Sequence, residues 1–586
     1  MRQRRVGVLI AVAVGIVTAL VVGQQATITW KAPRGYPVND GFGPVSLQPP
    51  LGSFWYFLPM RPARNHRDGV THDGQSVYWT GINTVTCLDI VTGAIKWEKD
   101  NLPYSILTAA AIGDGFVYVG TGQGDVLSLS TADGSFGTSL SCGRVNVNSV
   151  GVYKGVLFAA TSDGTLHYTP VGAGAISPGS VTFGYGSVTN FAFWDWNGAI
   201  RLCLGTTSQR LFFFEVSGEG EKAKVRLYAR PLLPAGGNIT DPVYDPSQNA
   251  VFVGVGEFVV RVNAQFGTLG FRTRLRGTIR GAPALSPDGN LYVGTDAGIV
   301  YALRSRDLSI LWRTELGSPV SAPVLATPDF VWVASFQGLL YALEAKTGRV
   351  RWRYRLADRD VNLRNVSILG PLAAAPFGLM VCDAAGRIYA MAPVQLVRDT
   401  TPPLFRDPFL LLLSASRQQV GYSIPDDASF EEVPAIPGRA PIHLRVLVYD
   451  PGSGVDERTV QAFLLESRTN RQVDVTSEFD PARGQILVNV HTIFRREARA
   501  GERPARIATI PPLADGEYVV VVRASDYAGN VGEARYGIRV DNSLPPPELP
   551  TAQAGLGMPG APGMPGGQVP GAPGGGPARG RGEGEY

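Results

Sequence analysis

The sequence predicts an all-β protein: an eight-bladed β-propeller followed by a smaller β-sandwich. Three observations predict it. A strand-rich unit recurs about every forty residues, the size of one four-stranded blade. Turn formers are abundant, with 71 Gly and 44 Pro in 586 residues, as many short strands joined by tight turns require. The repeat stops before the stiff string Asp399-Thr-Thr-Pro-Pro403, beyond which a different strand pattern begins.

The repeat carries the argument. One unit reads Val331-Trp-Val-Ala-Ser-Phe-Gln-Gly-Leu-Leu-Tyr-Ala-Leu-Glu-Ala-Lys-Thr-Gly-Arg-Val-Arg-Trp352. Eight units start at 77, 117, 157, 202, 251, 291, 331 and 379, a mean spacing of about 43 residues. The second position of each start is large and apolar (Tyr78, Tyr118, Phe158, Phe252, Tyr292, Trp332 and Met380), with Cys203 as the exception. The fourth is small: Thr80, Gly120, Ala160, Gly205, Gly254, Gly294, Ala334 and Cys382. Alternate strand residues face opposite sides, so a fixed small position predicts close packing of one blade on the next. Trp97, Trp312 and Trp352, with Phe271 in the fifth unit, fall nine residues after an apolar partner and are expected to fill the wedge between radial sheets. Gly93 and Gly348 occupy the turn before the outermost strand.

The seventh unit divides into strands at 321–327, 330–335, 339–345 and 349–356. The eighth stops at Met391-Ala392-Pro393, one strand short. An open ring leaves an unpaired edge. The string Ser53-Phe-Trp-Tyr-Phe-Leu58 has outer-strand character and is expected to complete the last blade, giving a propeller over 53–393.

At the N-terminus, Arg2, Arg4 and Arg5 precede an uncharged run from Val6 to Gly23. That is an export pattern, read as a signal peptide or a retained signal anchor over 1–26; either sends the remainder across a membrane. A linker over 27–52 follows. These three arginines supply most of the formal net charge of +4, so the remainder is near neutral and a nucleic-acid partner is not expected. Hydrophobic residues at 44% and charged residues at 17% exclude bulk disorder.

The region 399–542 carries strand-like runs at 442–449, 460–465, 486–490, 517–524 and 534–540, separated by Asp450-Pro-Gly-Ser-Gly-Val-Asp456 and Ser525-Asp-Tyr-Ala-Gly-Asn530. This predicts a sandwich, which the stretch 410–433 fits poorly. The Gly/Pro-rich tail over 543–586 is expected to be disordered.

The Tyr-Ala-Leu-Glu-Ala-Lys-Thr-Gly-Arg-Val-Arg-Trp string resembles the pyrroloquinoline-quinone-like (PQQ-like) repeat, most clearly in the first, sixth and seventh units. The resemblance implies an eight-bladed propeller. It is closest to the non-catalytic branch, which includes a propeller assisting outer-membrane β-barrel assembly. The other branch, the quinoprotein dehydrogenases, holds its quinone under adjacent cysteines with calcium nearby. Adjacent cysteines do not occur here, and no calcium triad can be matched. The Asp-Thr-Thr-Pro-Pro and Asp-x-Ala-Gly-Asn strings resemble bacterial immunoglobulin-like domains, modules tied to spacing or adhesion.

Candidate chemistry is sparse. Cys87, Cys142, Cys203 and Cys382 form no CxxC and are expected to stay unpaired. Gly120-Thr-Gly-Gln-Gly124 lacks a following helix and reads as a hairpin rather than a phosphate loop. His66, Asp68, His72 and Asp73 read as loop residues near a propeller mouth before they read as metal ligands. Asp450, Asp456 and Asp526 could meet at one end of the sandwich and bind calcium, although Asp also forms turns, which is the preferred reading. Arg349, Arg351, Arg353 and Arg355 share one strand face, as do Arg272, Arg274 and Arg276. The first row is a candidate partner surface, with a solvated edge as the simpler reading. No nucleophile elbow, HExxH or Ser-His-Asp set is present. The expectation is an exported binding or scaffold protein without cofactor or catalytic residues, with a protein or cell-envelope partner. If uncleaved, its N-terminal segment also touches the membrane. The alternative is a quinone-dependent dehydrogenase acting on alcohols or sugars.

Overall fold

A computed structural model describes residues 28–545, apart from 33, 36, 61–68, 172–178, 188, 219–223, 235–236, 357–365, 414–418, 425–431, 439–441, 482, 491, 494–507 and 510–512. The expected export segment lies outside the described residues, as does the tail from 546 onward. Among the described residues no helix is long and apolar enough to cross a membrane.

Eight four-stranded antiparallel sheets form a propeller between residues 51 and 393. All eight repeat starts fall on the second strand of a blade. In blade 1 these strands are Thr71–His72, Ser76–Thr80, Val85–Asp89 and Ile95–Lys99. In blade 7 they are Leu325–Ala326, Phe330–Ala334, Leu339–Glu344 and Val350–Arg355. The middle strands are buried on both faces, as in Phe330–Ala334, so they read as continuous apolar runs rather than alternating ones. Outer strands such as Ile95–Lys99 are mostly exposed.

The small column has the expected cause. A Cβ on Gly254 would lie 2.6 Å from Ile279 Cγ2, and one on Gly294 would lie 2.3 Å from Val320 Cγ1. Both partners lead into the next blade.

Blade 8 contains Ala373–Ala375, Gly378–Cys382 and Ile388–Pro393, and its outermost strand is Leu51–Phe57 from the other end of the chain. Leu51 pairs with Pro393 and Phe57 with Ile388 across an antiparallel ladder, with a bulge between Ser53 and Trp55. At the inner radius, His72 Nε2 lies 2.6 Å from Ala374 O, joining blade 1 to blade 8.

The blades are clasped by a repeated contact. Trp97 of blade 1 donates its Nε1–H to Thr131 O of blade 2 at 3.0 Å. Trp312 of blade 6 donates to Ala345 O of blade 7 at 2.9 Å. Trp55 donates to Ile90 O at 2.9 Å, so the N-terminal strand clasps blade 8 to blade 1 in the same way. In each case a left-handed glycine of the receiving turn (Gly134, Gly348 or Gly93) lies flat on the indole, where a Cβ would stand 2.4–2.7 Å from ring carbon. Tyr228 of blade 4 makes the equivalent bond to Ala264 O at 2.7 Å.

Two expectations are corrected here. Phe271 sits in the tryptophan register but is 55% exposed. The receiving turn of blade 6 carries Leu308 at φ 57 where the others carry glycine, and the Leu308 side chain is buried in the blade 5–6 core. It occupies the slot and leaves Phe271 outside, while Thr273 Oγ1 donates to Leu308 O at 2.8 Å.

The second correction concerns the supposed linker over 27–52. Residues 28–43 run across one end of the ring. Backbone amides of Ile112, Phe193, Tyr244, Leu285 and Ala326 donate to carbonyls of Lys31, Pro37, Val38, Asp40 and Gly41 at 2.8–3.1 Å. Trp30 exchanges two such bonds with His72. The segment thus plugs the ring by bonding the innermost strands of six blades. Its polar and proline-rich sequence carries no strand pattern, so only the ring around it reveals the role.

Beyond the propeller, nine strands form one ladder. Its order is Gln419–Ser423, Leu404–Leu413, His443–Tyr449, Gln485–Asn489, Arg471–Asp480, Val455–Glu466, Gly516–Asp526, Val531–Val540 and Ala435–Ile436. Arg471–Asp480 pairs with Val455–Glu466 through its first half and with Gln485–Asn489 through its second. The ladder therefore folds back on itself. Leu444, Val446, Ile486 and Val488 from one half meet Leu464, Val520, Val522 and Ile538 from the other in a single core.

Replacing Trp55 by Ala removes the ring-closing clasp. It should lower stability by about 3–5 kcal/mol, whereas Trp55→Phe, which keeps the ring but loses the N–H, should cost about 1–2 kcal/mol. Urea denaturation followed by intrinsic fluorescence checks this; equal, negligible losses in both variants would contradict the closure argument.

Candidate functional site

A cavity of about 1010 Å³ opens on the ring axis, lined by residues of six blades. Asn148, Asn190, Asp241, Arg280, Ser321 and Pro371 mark its circuit. They stand where the innermost strands begin, opposite the end covered by residues 28–43. Asp241 accepts hydrogen bonds from Asn190 N at 2.9 Å and Asn190 Nδ2 at 3.0 Å. Arg280 is paired with Asp296 at 3.3 Å. Two of the lining threonines are turned into their own blades: Thr189 Oγ1 and Thr240 Oγ1 accept the amides of Gly205 and Gly254 at 2.7 and 2.9 Å. Phe336, Leu369, Pro323 and Pro371 give one side of the mouth an apolar wall.

The plug contributes Arg34, only 1% exposed. Burial lowers its pKa to about 10, against the pull of Asp241 and Asp40. Arg34 donates to Asn39 O at 3.3 Å and to Pro283 O. Burial raises Asp40 to about 6, opposed by the Phe42 amide and by Arg34. The guanidinium thus ties plug to ring from below the cavity.

The His/Asp cluster is not brought together as a metal site within the described residues; His66 and Asp68 lie outside them. His72 is fully buried and bonded to Ala374 O, and burial pushes its pKa down to about 4. Asp73 caps the following turn, accepting from Gln75 N and Ser76 N at 2.8 and 2.7 Å and from Tyr78 Oη at 2.8 Å. The four cysteines are free and buried, on blades 1, 2, 4 and 8. Burial raises the Cys87 and Cys142 thiols to about 11 and about 12 and pushes Cys203 higher still. Burial thus holds these three as thiols. Gly120 to Gly124 forms the hairpin between Phe116–Gly120 and Asp125–Ser130.

The arginine row on blade 7 meets this chain's own sandwich. Arg351 pairs with Glu344, with Nε 2.6 Å from Oε1. Arg353 reaches Glu457 of the sandwich at 3.7 Å. Arg355 is depressed by burial against the pull of Asp480. Half of the candidate partner surface is therefore an intramolecular junction, and Arg349 remains exposed. Tyr354 Oη donates to Pro451 O at 3.1 Å, and Ser53 N donates to Gly452 O at 2.8 Å. Tyr527 packs on the core of blades 7 and 8.

At that junction the acidic residues sort differently from the expected trio. Asp456 is engaged by Arg458, with Nε at 2.8 Å and Nη2 at 2.7 Å. Its place is taken by Asp399, which joins Asp450 and Asp526 so that one oxygen of each lies within 4.8 Å of the others. Asp450 is 3% exposed; burial, and repulsion from Asp399 and Asp526, raise its pKa to about 7. Burial acts to raise Asp399 too, but hydrogen bonds from Thr401 and Ser453 outweigh it and hold that carboxyl below its usual range. Sequence reading missed Asp399 because it belongs to the linker string, although that string marks the domain boundary.

Residues 81–171 and 255–393 match the family described as outer membrane protein assembly factor BamB. No curated protein is a significant match. Among solved structures, BamB from Moraxella catarrhalis is 10% identical, covering 58% of this chain and 99% of its own, with a TM-score of 0.44. A europium-containing methanol dehydrogenase is 12% identical over 61% of this chain and 90% of its own, at 0.48. Sqt1 of Saccharomyces cerevisiae is 11% identical over 58% and 99%, at 0.47.

The histidine gives a pH test. His72 is neutral when folded, so between pH 6.5 and 4 the unfolded chain takes up a proton that the folded chain refuses, and stability falls with pH across that window. From pH 7 to 5 this contributes a loss of about 2 kcal/mol. Denaturation of His72→Gln should show a correspondingly smaller loss over the same interval; identical pH profiles would contradict the assignment.

Proposed function

On the premise that the ring is built from the PQQ-like repeats that match the BamB family, we propose that this protein is an exported, non-catalytic scaffold. It holds a protein or cell-envelope partner at the open mouth of the propeller. The observation that carries this is the chemistry of the cavity. It offers amides, hydroxyls and an apolar wall, while its two charged side chains, Asp241 and Arg280, are already engaged by Asn190 and Asp296. Such a surface suits the recognition of backbone and apolar groups.

The plug supports an orientation. The expected export segment leads directly into residues 28–43, so if it is retained as an anchor, the plugged end faces the membrane and the cavity faces away. The C-terminal sandwich, read as an immunoglobulin-like module, is fixed against the rim of blades 7 and 8 and serves as a spacer. A quinone-dependent dehydrogenase is the second reading, favoured only by the repeat class itself.

Phe336 is 43% exposed and belongs to the apolar wall. A photo-crosslinking residue at position 336 should capture an envelope protein, and Phe336→Asp should reduce its co-purification at least tenfold without changing thermal stability. Steady dye-linked oxidation of alcohols or sugars after adding pyrroloquinoline quinone and calcium would instead establish the enzyme.

A further inference from the structure

The junction between the two domains gathers three carboxylates. Among the described residues, no lysine or arginine is paired with Asp399, Asp450 or Asp526. Turn amides, hydroxyls and one side-chain amide bond them instead and aim the carboxylates. Asp399 Oδ2 accepts Ser453 N and Oγ, both at 2.8 Å, and its Oδ1 accepts Thr401 N and Oγ1 at 3.1 and 2.7 Å. Asp526 accepts Asn530 N at 2.8 Å and Asn530 Nδ2 at 2.7 Å. Asp450 Oδ1 accepts the amides of Gly452 and Gly454, each at 2.9 Å.

The second oxygen of Asp450 is the independent observation. It is buried and has no hydrogen-bond partner, in a residue only 3% exposed. A buried carboxylate oxygen without a donor is costly, and two further carboxylates beside it make the cost worse. A cation removes both penalties at once.

We propose that Asp399, Asp450 and Asp526 bind one calcium ion, which clasps the sandwich to the propeller. The donors are all oxygen, which selects a hard cation over zinc or copper. They come from three separate segments of the chain, which suits the irregular coordination of calcium better than the strict octahedron of magnesium. Asn530 Nδ2 donates to Asp399 O at 3.1 Å and so ties the linker to the 526–530 turn. Gly452 lies against the Asp399 carboxylate, where a Cβ would come within 2.4 Å of an oxygen. The same turn accepts Ser53 N of the ring-closing strand and the Tyr354 hydroxyl of blade 7. Ordering this turn therefore orders the contact with the propeller.

The test uses the full exported chain, stripped with EDTA and titrated with calcium chloride by calorimetry. One equivalent should bind, and saturating calcium should raise the first thermal transition by roughly 2–4 °C. Asp450→Asn and Asp526→Asn should each abolish uptake, whereas Asp456→Asn, whose native carboxylate is held by Arg458, should retain it. In EDTA, Asp450→Asn should melt no lower than the wild type, because it removes one of three crowded charges. No calcium uptake by the wild-type chain, or uptake unchanged in both ligand variants, would overturn the proposal.

Discussion

The structure depends on one contact that recurs at four blade junctions, 1–2, 4–5, 6–7 and 8–1: an aromatic side chain of an outer strand donating to a turn carbonyl of the next blade. Radial sheets diverge outward and leave wedges, and an indole fills such a wedge while its N–H finds an acceptor. The contact works only if the receiving turn lets the ring lie flat, which explains the left-handed glycines at 93, 134 and 348. A row of blades has two ends unless the last blade clasps the first. Trp55 makes that final clasp from a strand about 330 residues distant in sequence from its pairing partner. Closure is thus both a hydrogen-bonded ladder and a side-chain dock.

Closure also places the ring-closing strand where the C-terminal domain meets blades 7 and 8. The Leu51–Phe57 strand meets the sandwich through Ser53 and Gly452, and blade 7 meets it through Arg353 and Tyr354. The sandwich therefore rests on the rim of blades 7 and 8. At the other radius, residues 28–43 bond the innermost strands and leave the cavity as a single-ended pocket. The N-terminal part of the chain performs two closures, one axial and one at the rim.

Much of this was legible. Repeat starts, small columns and the tryptophan register follow from the period of the blade, and the missing eighth strand followed from counting. What was hidden has specific physical causes. Phe271 matches the aromatic register, but its slot is filled by Leu308, a residue of another repeat, so no reading of its own unit reveals its exposure. Residues 28–43 have no internal period because their partners are six different blades. Strand Arg471–Asp480 carries four charged residues in ten, which obscured its alternation. The arginine row could be read from its alternation, but the groups it meets lie in a distant part of the same chain. Among the acids, Asp450 and Asp526 were legible from their turns, while Asp399 required the fold to bring the linker back to them.

Ring closure by the N-terminal strand is the claim from which the rest follows, and native-state hydrogen exchange measures it directly. The account predicts that amides of Leu51–Phe57 exchange as slowly as those of Ile388–Pro393, and that both open only with global unfolding of the propeller. Rapid exchange over 51–57 while 388–393 stays protected would show a blade left open at its edge and would contradict the account.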